Sequence, residues 1–430
     1  MSRVILSATA LLAAVCLLAG STAVARQVSA RMPAVAGAYY PDDPGKLLQS
    51  VRGYFDAADA PDTGGAMVGC IASPAPYGFA GPVTAHAFKN LKPGQYDRVI
   101  ILTPSHSAKL ENCSIPAVEV FITPLGPVPL DVEAVEQLLF SPLFSARSLM
   151  YKKMPQREQI HEYEYGVEAL LPYLQERLLE FKLVPVVVGE LTDAGGNYNP
   201  RAAESIAKAL RKIMTERTLV VASSSFTHFG NDFSNRPFND NIIANIEKLD
   251  REAFEPILAM DAAGFERYLE KTKNVIDGCR CISVLLRMVP KHTQSRILAY
   301  DLLAAKTGDL DRSVSYAAFT FHDPARPPLE ARPDRVRPLP VLGKPESGAE
   351  TPPPTQQENI PPAAPQAGAA APVPAPTTAP QPAEIQPPAA GGESAPASGA
   401  REPAPPEQPV KRKFNIIRHA PGEGAGGAKP

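Results

Sequence analysis

The chain has little net charge, few cysteines, no internal repeat and no matched pair of cysteine motifs. Its formal charge is -2 over 430 residues, so no bulk field steers it to nucleic acid. Of its five cysteines, Cys279 and Cys281 form a C-x-C pair without a second pair to complete a structural zinc site. Ser223, Ser224 and Ser225 lack the glycine frame of a nucleophile elbow, which argues against a serine hydrolase.

What is present begins at the N-terminus. Arg3 precedes an apolar stretch from Val4 to Leu18, followed by Ala23-Val24-Ala25 in the small-x-small form of a cleavage site. Residues 1–25 are therefore expected to be a signal peptide, placing an exported, periplasmic protein from about Arg26 onward. An uncleaved N-terminal membrane anchor is the alternative. Removal of residues 1–25 leaves Cys70, Cys113, Cys279 and Cys281, which an oxidising compartment allows to pair without requiring it.

From Pro324 to the end, proline, alanine, glycine, glutamate and glutamine dominate. Residues 324–430 are expected to be a disordered spacer. Its far end, Lys411 to His419, mixes bases with apolar residues and is expected to touch an anionic envelope surface.

Residues 26–323 are ample for one domain. Apolar β-branched runs at Val68–Ala72, Val99–Leu102, Leu183–Val188 and Leu219–Ala222 alternate with helical periods, which predicts an α/β fold. Val167, Leu170, Leu171 and Leu174 share a helix face. Asn199 with Pro200 and, separately, Asp261 read as helix starts. Val314–Phe321 alternates as a closing strand. His106 and His228 each follow an apolar run, and the carboxyl ends of central strands are where reacting groups gather in such folds. His86 falls on a helix and is expected to pack there. His161 and Glu164 are expected to pair at a helix start, with Glu164 helping to cap the turn. His292, His322 and His419 fall in loop or tail context and are expected to be solvated.

Several motifs recur in a familiar order: Arg31-Met32-Pro33-Ala34-Val35-Ala36-Gly37-Ala38-Tyr39-Tyr40-Pro41, Thr103-Pro104-Ser105-His106, Thr123-Pro124-Leu125-Gly126, His161 to Glu168 with Leu171-Pro172-Tyr173, Ser223 to His228, and Ser313 to Ala318. In this the chain resembles the Memo family, also called AmmeMemoRadiSam system protein B. The resemblance implies a single three-layer α/β domain with a mixed central sheet flanked by helices, similar to class III extradiol dioxygenases. It also implies a pocket at the strand ends, with histidines from P-H-A-G-Y and P-S-H and a cysteine from C-G-R as potential metal ligands, beside a further histidine from S-S-D-L-x-H.

Carried over by position, His106 matches the P-S-H ligand and His228 the neighbouring acid/base histidine. Pro74 stands where the first ligand histidine would be and offers no side-chain donor. Asp277 replaces the cysteine, Ser225 the aspartate of S-S-D, and Tyr165 the second histidine of H-x-x-E-H. The leading expectation is a degenerate pocket on a non-catalytic binding or scaffolding module for an unknown small molecule or protein, with no nucleic-acid partner. The second is a metal-dependent oxidoreductase, dioxygenase-like, or hydrolase, with His106 and Asp277 holding Fe(II) or another divalent transition metal and His228 as the acid/base group. The third is an envelope-tethered protein acting through its tail.

Overall fold

The structure is a computed structural model that describes residues 29–335, apart from 60, 62–63, 147 and 151–156. The expected signal peptide, His419 and the basic far end lie outside the described residues. Among the described residues no helix is long and apolar enough to cross a membrane.

Nine strands build the main sheet: β1 Ala66–Ala72, β2 Arg98–Pro104, β3 Cys113–Ser114, β4 Phe144–Ser145, β5 Lys182–Val188, β6 Thr218–Ser223, β7 His228–Gly230, β8 Gln294–Leu302 and β9 Arg312–Asp323. Their order is β7-β9-β1-β6-β2-β5-β3-β4, with β8 on the other edge of β9. The centre, β1-β6-β2-β5, is parallel, with Val220 opposite both Gly69 and Ile100, and Leu183 opposite Val99. β9 runs antiparallel to β1, β7 and β8, so the sheet is mixed. The four apolar runs are unbroken because both faces of these strands are covered; every residue of β1 and β6 is buried.

The main helices are α1 Pro44–Ala57, α2 Tyr77–Phe88, α3 Leu171–Leu178, α4 Pro200–Arg211, α5 Ile242–Leu258, α6 Ala262–Thr272 and α7 Cys279–Met288. The chain crosses the sheet one way from β1 through α2 to β2 and through α3 to β5, then returns through α4 to β6. With right-handed crossovers, α2 and α3 fall on one face and α4 on the other. α1 packs on α2 and α3, while α7 packs on α4 and α6. That gives three layers.

The helix starts read from sequence carry their caps. Asn199 accepts from the Arg201 amide at 3.1 Å and Asp261 from the Gly264 amide at 2.8 Å, each satisfying a donor the first turn leaves free.

Three expectations change. β9 runs through Asp323, so His322 lies on a strand, opposite Gln294, and is only 8% exposed. His292 is not merely solvated, since its Nε2 lies 2.7 Å from the Asp323 carboxylate. The spacer does not start at Pro324 either, because the chain lies against the domain as far as Arg335. The Ala66 amide donates to the Arg326 carbonyl at 2.9 Å, Gln95 Nε2 to the Leu329 carbonyl at 2.9 Å, and the Arg332 amide to the Pro93 carbonyl at 2.8 Å. Cys70, Cys113, Cys279 and Cys281 are free thiols.

Candidate functional site

The parallel strands β1, β2 and β6 end side by side, and the segments leaving them carry Ser73, His106 and Ser224-Ser225. The amino end of α7 brings Asp277 and Gly278 to the same place, and β7 brings His228 alongside through its pairing with β9, where His228 lies opposite Val314.

Asp277 is the centre of the cluster. Its Oδ1 accepts from the Ser225 amide at 2.9 Å, the Gly278 amide at 2.6 Å and the Ser224 hydroxyl at 3.1 Å. Its Oδ2 is turned to the two histidines, 3.6 Å from His106 Nε2 and 3.9 Å from His228 Nε2. The three residues expected to form the site therefore meet.

His106 is fixed from its other side by Glu164. The Glu164 carboxylate takes the His106 amide at 2.9 Å, faces Nδ1 at 2.8 Å, and takes the Gly166 amide at 3.0 Å. Sequence reasoning expected Glu164 to cap a local turn. The turn, Ile160–Tyr163, ends before it, and the carboxylate reaches instead across the fold to β2. Tyr165 stacks on the His106 ring at 4.4 Å with an interplanar angle of 19°, and Tyr39 packs on Tyr165 at 4.8 Å.

The electrostatics follow from this sandwich. Burial alone would lower the His106 pKa, but Glu164 at Nδ1 and Asp277 facing Nε2 raise it from 6.5 to about 10. Burial likewise pushes both carboxyls up; the charge and hydrogen bonds of His106 reverse this for Glu164, and His106, the His228 charge and the Gly278 amide reverse it for Asp277, holding both below the usual carboxylate range. His106 is thus an imidazolium between two carboxylates. His228 differs. Its Nδ1 lies 2.8 Å from the Phe226 carbonyl, which can only accept, so Nδ1 carries the hydrogen and Nε2 is the atom presented to Asp277.

His228 is held by its neighbours. Its carbonyl accepts from Asn235 at 2.7 Å, and its amide donates to the Val275 carbonyl at 2.9 Å. The preceding Thr227 gives its hydroxyl to buried Asp250 at 2.6 Å and receives Asn274 at 2.7 Å. The substituted positions have also found partners, since the Ser73 and Ser225 hydroxyls lie 2.7 Å apart.

The donor set departs from the family pattern. Pro74 supplies no side-chain donor where that pattern has a histidine, and Asp277 stands in place of the cysteine. Among the described residues no three His, Cys, Asp or Glu side chains are arranged to hold a metal ion.

The opening motif has a structural role. Arg31 forms an ion pair with Glu168, with both side chains almost fully buried. It also donates to the His161 carbonyl at 2.8 Å and the Glu164 carbonyl at 2.9 Å. Glu168 further accepts the amides of Ala34 and Val35, at 2.8 and 3.0 Å, and the Tyr40 hydroxyl. The pair pins the segment from Arg31 to Tyr40 against the loop that carries Glu164. His86 packs on α2 as expected, its Nδ1 2.8 Å from the Pro82 carbonyl.

Comparison with known proteins agrees with this reading of the motifs. Protein MEMO1 of Rattus norvegicus is 28% identical over 306 residues, covering 68% of this chain and 97% of the relative. Protein MEMO1 of Danio rerio is 30% identical over 297 residues, covering 66% and 94%. The solved structure of uncharacterized protein JW3007 from Escherichia coli K12 aligns with a TM-score of 0.37 at 10% identity, covering 59% of this chain and 99% of that one. Residues 31–320, the span from the Arg31 clamp into β9, match the Memo-like protein family, and the chain belongs to it.

Proposed function

We propose that this domain is a non-catalytic binding or scaffolding module that takes a small molecule or a protein segment at the strand-end face. The supporting observation is the donor set: Pro74 offers no side-chain donor where the family pattern has a ligand histidine, and Asp277 Oδ1 is taken up by the Ser225 and Gly278 amides and the Ser224 hydroxyl. A metalloenzyme of the family pattern would need a donor at Pro74. The module is exported, on the reading of residues 1–25, and its basic far end contacts the envelope. Fractionation of cells expressing chains with and without residues 1–25 tests the first point, and deletion of residues 411–419 tests the second.

The experiment that decides between module and metalloenzyme is metal content of protein purified without affinity histidines, after exposure to Fe(II), Zn(II) and Cu(II). No stoichiometric metal is the expected result. One equivalent that disappears in both His106→Ala and Asp277→Asn would overturn the proposal.

A second reading rests on a separate observation. His106 Nε2 is buried without a hydrogen-bond partner, and Asp277 Oδ2 sits near the Nε2 atoms of both histidines. On this reading a divalent metal displaces the His106 proton and is held by His106 and Asp277, with His228 as the acid/base group. It requires tight binding that weakens steeply as pH falls.

A further inference from the structure

At the opposite end of the sheet from the histidines lies a cavity of about 450 Å³. It sits beside the amino ends of β2 and β5, and Tyr96, Val128, Leu179, Phe181, Arg332 and Arg335 are among the residues that line it. Leu179 is held there at φ 67° and ψ −67°, a rare γ-turn conformation in which the Glu180 amide donates to the Leu178 carbonyl at 3.0 Å.

The chain reaches this cavity as a strap. From Pro324 to Arg335 it is tied by hydrogen bonds to the first residue of β1 and to the segment before β2. Arg326 donates to the Glu216 carbonyl at 2.6 Å, and Arg217 reaches the Glu330 carbonyl at 3.2 Å. Two glycines receive the strap. Gly65 at φ 73° and Gly94 at φ 63° lie so close to it that a Cβ on either would fall 2.5 Å from a carbonyl oxygen, that of Asp323 and of Arg332 respectively. The strap ends in the turn Pro333–Arg335, with the Arg335 amide donating to the Arg332 carbonyl at 3.0 Å. Both arginines are in the cavity wall.

The residues that follow are Val336-Arg337-Pro338-Leu339-Pro340-Val341-Leu342, and from Gly343 the sequence turns to the proline, alanine and polar composition of the tail. A largely apolar block thus starts one residue beyond a cavity whose wall combines Tyr96, Val128, Leu179 and Phe181 with the charged Asp97, Glu180 and Lys182. Its prolines favour an extended chain that loses little entropy on docking.

We propose that this cavity is the seat of the segment Val336–Leu342 of the same chain, which anchors the tail to the amino-terminal end of the sheet and leaves the spacer to begin near Gly343. The inference is independent of what the histidine face does. It makes the strap and its apolar continuation part of the domain, so that the spacer extends from the pole opposite the binding face.

Because the chain contains no tryptophan, Val341→Trp in the full chain gives a single reporter, with Ala370→Trp in the proline- and alanine-rich tail sequence as the control. Docking predicts blue-shifted emission for Val341→Trp and acrylamide quenching several-fold weaker than in the control, both independent of protein concentration. In parallel, Leu339→Asp combined with Leu342→Asp is expected to lower the Tm by roughly 5 °C while Ala370→Asp leaves it unchanged. These substitutions lie outside the central sheet, so a folded protein with a lowered Tm is the supporting outcome. Equal quenching at the two tryptophan positions, or an unchanged Tm in the double variant, overturns the proposal. Protection that appears only at high protein concentration overturns it in favour of a second copy filling the cavity.

Discussion

His161 provides a direct test of the interior around the site. Its side chain is buried, with 3% of the residue exposed, and its Nε2 has no hydrogen-bond partner among the described residues. Burial lowers its pKa from 6.5 to about 3, outweighing the nearby Glu164 charge. The fold therefore carries His161 neutral. Since the folded pKa lies below the unfolded one, the associated stability is fully present above pH 6.5 and is lost as pH falls toward 3. Each pH unit in that window costs about 1.4 kcal/mol, so the change from pH 6.5 to 4.5 amounts to about 2.5 kcal/mol, or a Tm loss of roughly 5–10 °C. The measurement is thermal or urea unfolding at several pH values for the wild type and His161→Gln, which keeps the backbone carbonyl that Arg31 uses and cannot be protonated. The variant is expected to start less stable at pH 7.5 and to lose less on acidification, and the difference between the two slopes isolates His161 from every other carboxylate and histidine. Parallel stability curves for the two proteins would refute the assignment of a neutral buried imidazole.

Other substitutions probe the same region. Arg31→Met strands the buried Glu168 charge and should cost about 3–5 kcal/mol in urea unfolding, with much of the loss recovered when Glu168→Leu is added; a loss below about 1 kcal/mol would contradict the clamp. Glu164→Gln removes the charge beside His106 Nδ1 and should bring the His106 ring titration down from about 10 by at least one unit, read by NMR of labelled histidine; an unmoved midpoint would show that Glu164 is not what holds the proton. Gly166→Ala would place a Cβ 2.0 Å from Thr103 Oγ1 and 3.1 Å from Ser223 Oγ. It should therefore destabilise the fold by about 1–3 kcal/mol through overpacking, whereas wild-type stability would mean that the loop yields freely.

Much of the scaffold was legible because it rests on local patterns. Unbroken β-branched runs read as buried parallel strands, and Asn199-Pro200 and Asp261 read as helix starts, because those signals are local. The meeting of His106, Asp277 and His228 could be foreseen only by laying the chain on a family pattern, since the three come from separate strand ends and a helix start. Glu164 was misread for a related reason. Its spacing from His161 resembles a cap, while its actual partner, His106, lies across the fold and leaves no trace in the local sequence. The alternation that marks the closing strand is legible only as far as Phe321, which leaves His322 in loop context, yet β9 continues to Asp323 through its pairing with β8 and β1. The strap escaped notice because composition records side chains, whereas several of the contacts that hold Pro324–Arg335 end on backbone carbonyls. The same distinction bears on the site. The altered positions Pro74, Ser225 and Asp277 read one by one as losses from a metal pocket. In the fold they form a different arrangement in which Ser225 pairs with Ser73 through its hydroxyl and gives its amide to Asp277, while Asp277 takes a helix-start amide and faces an imidazolium. Restoring a single donor, as in Pro74→His, would therefore not be expected to restore metal binding, because Asp277 would keep its Oδ1 bonds to Ser224, Ser225 and Gly278 in place of a cysteine thiolate.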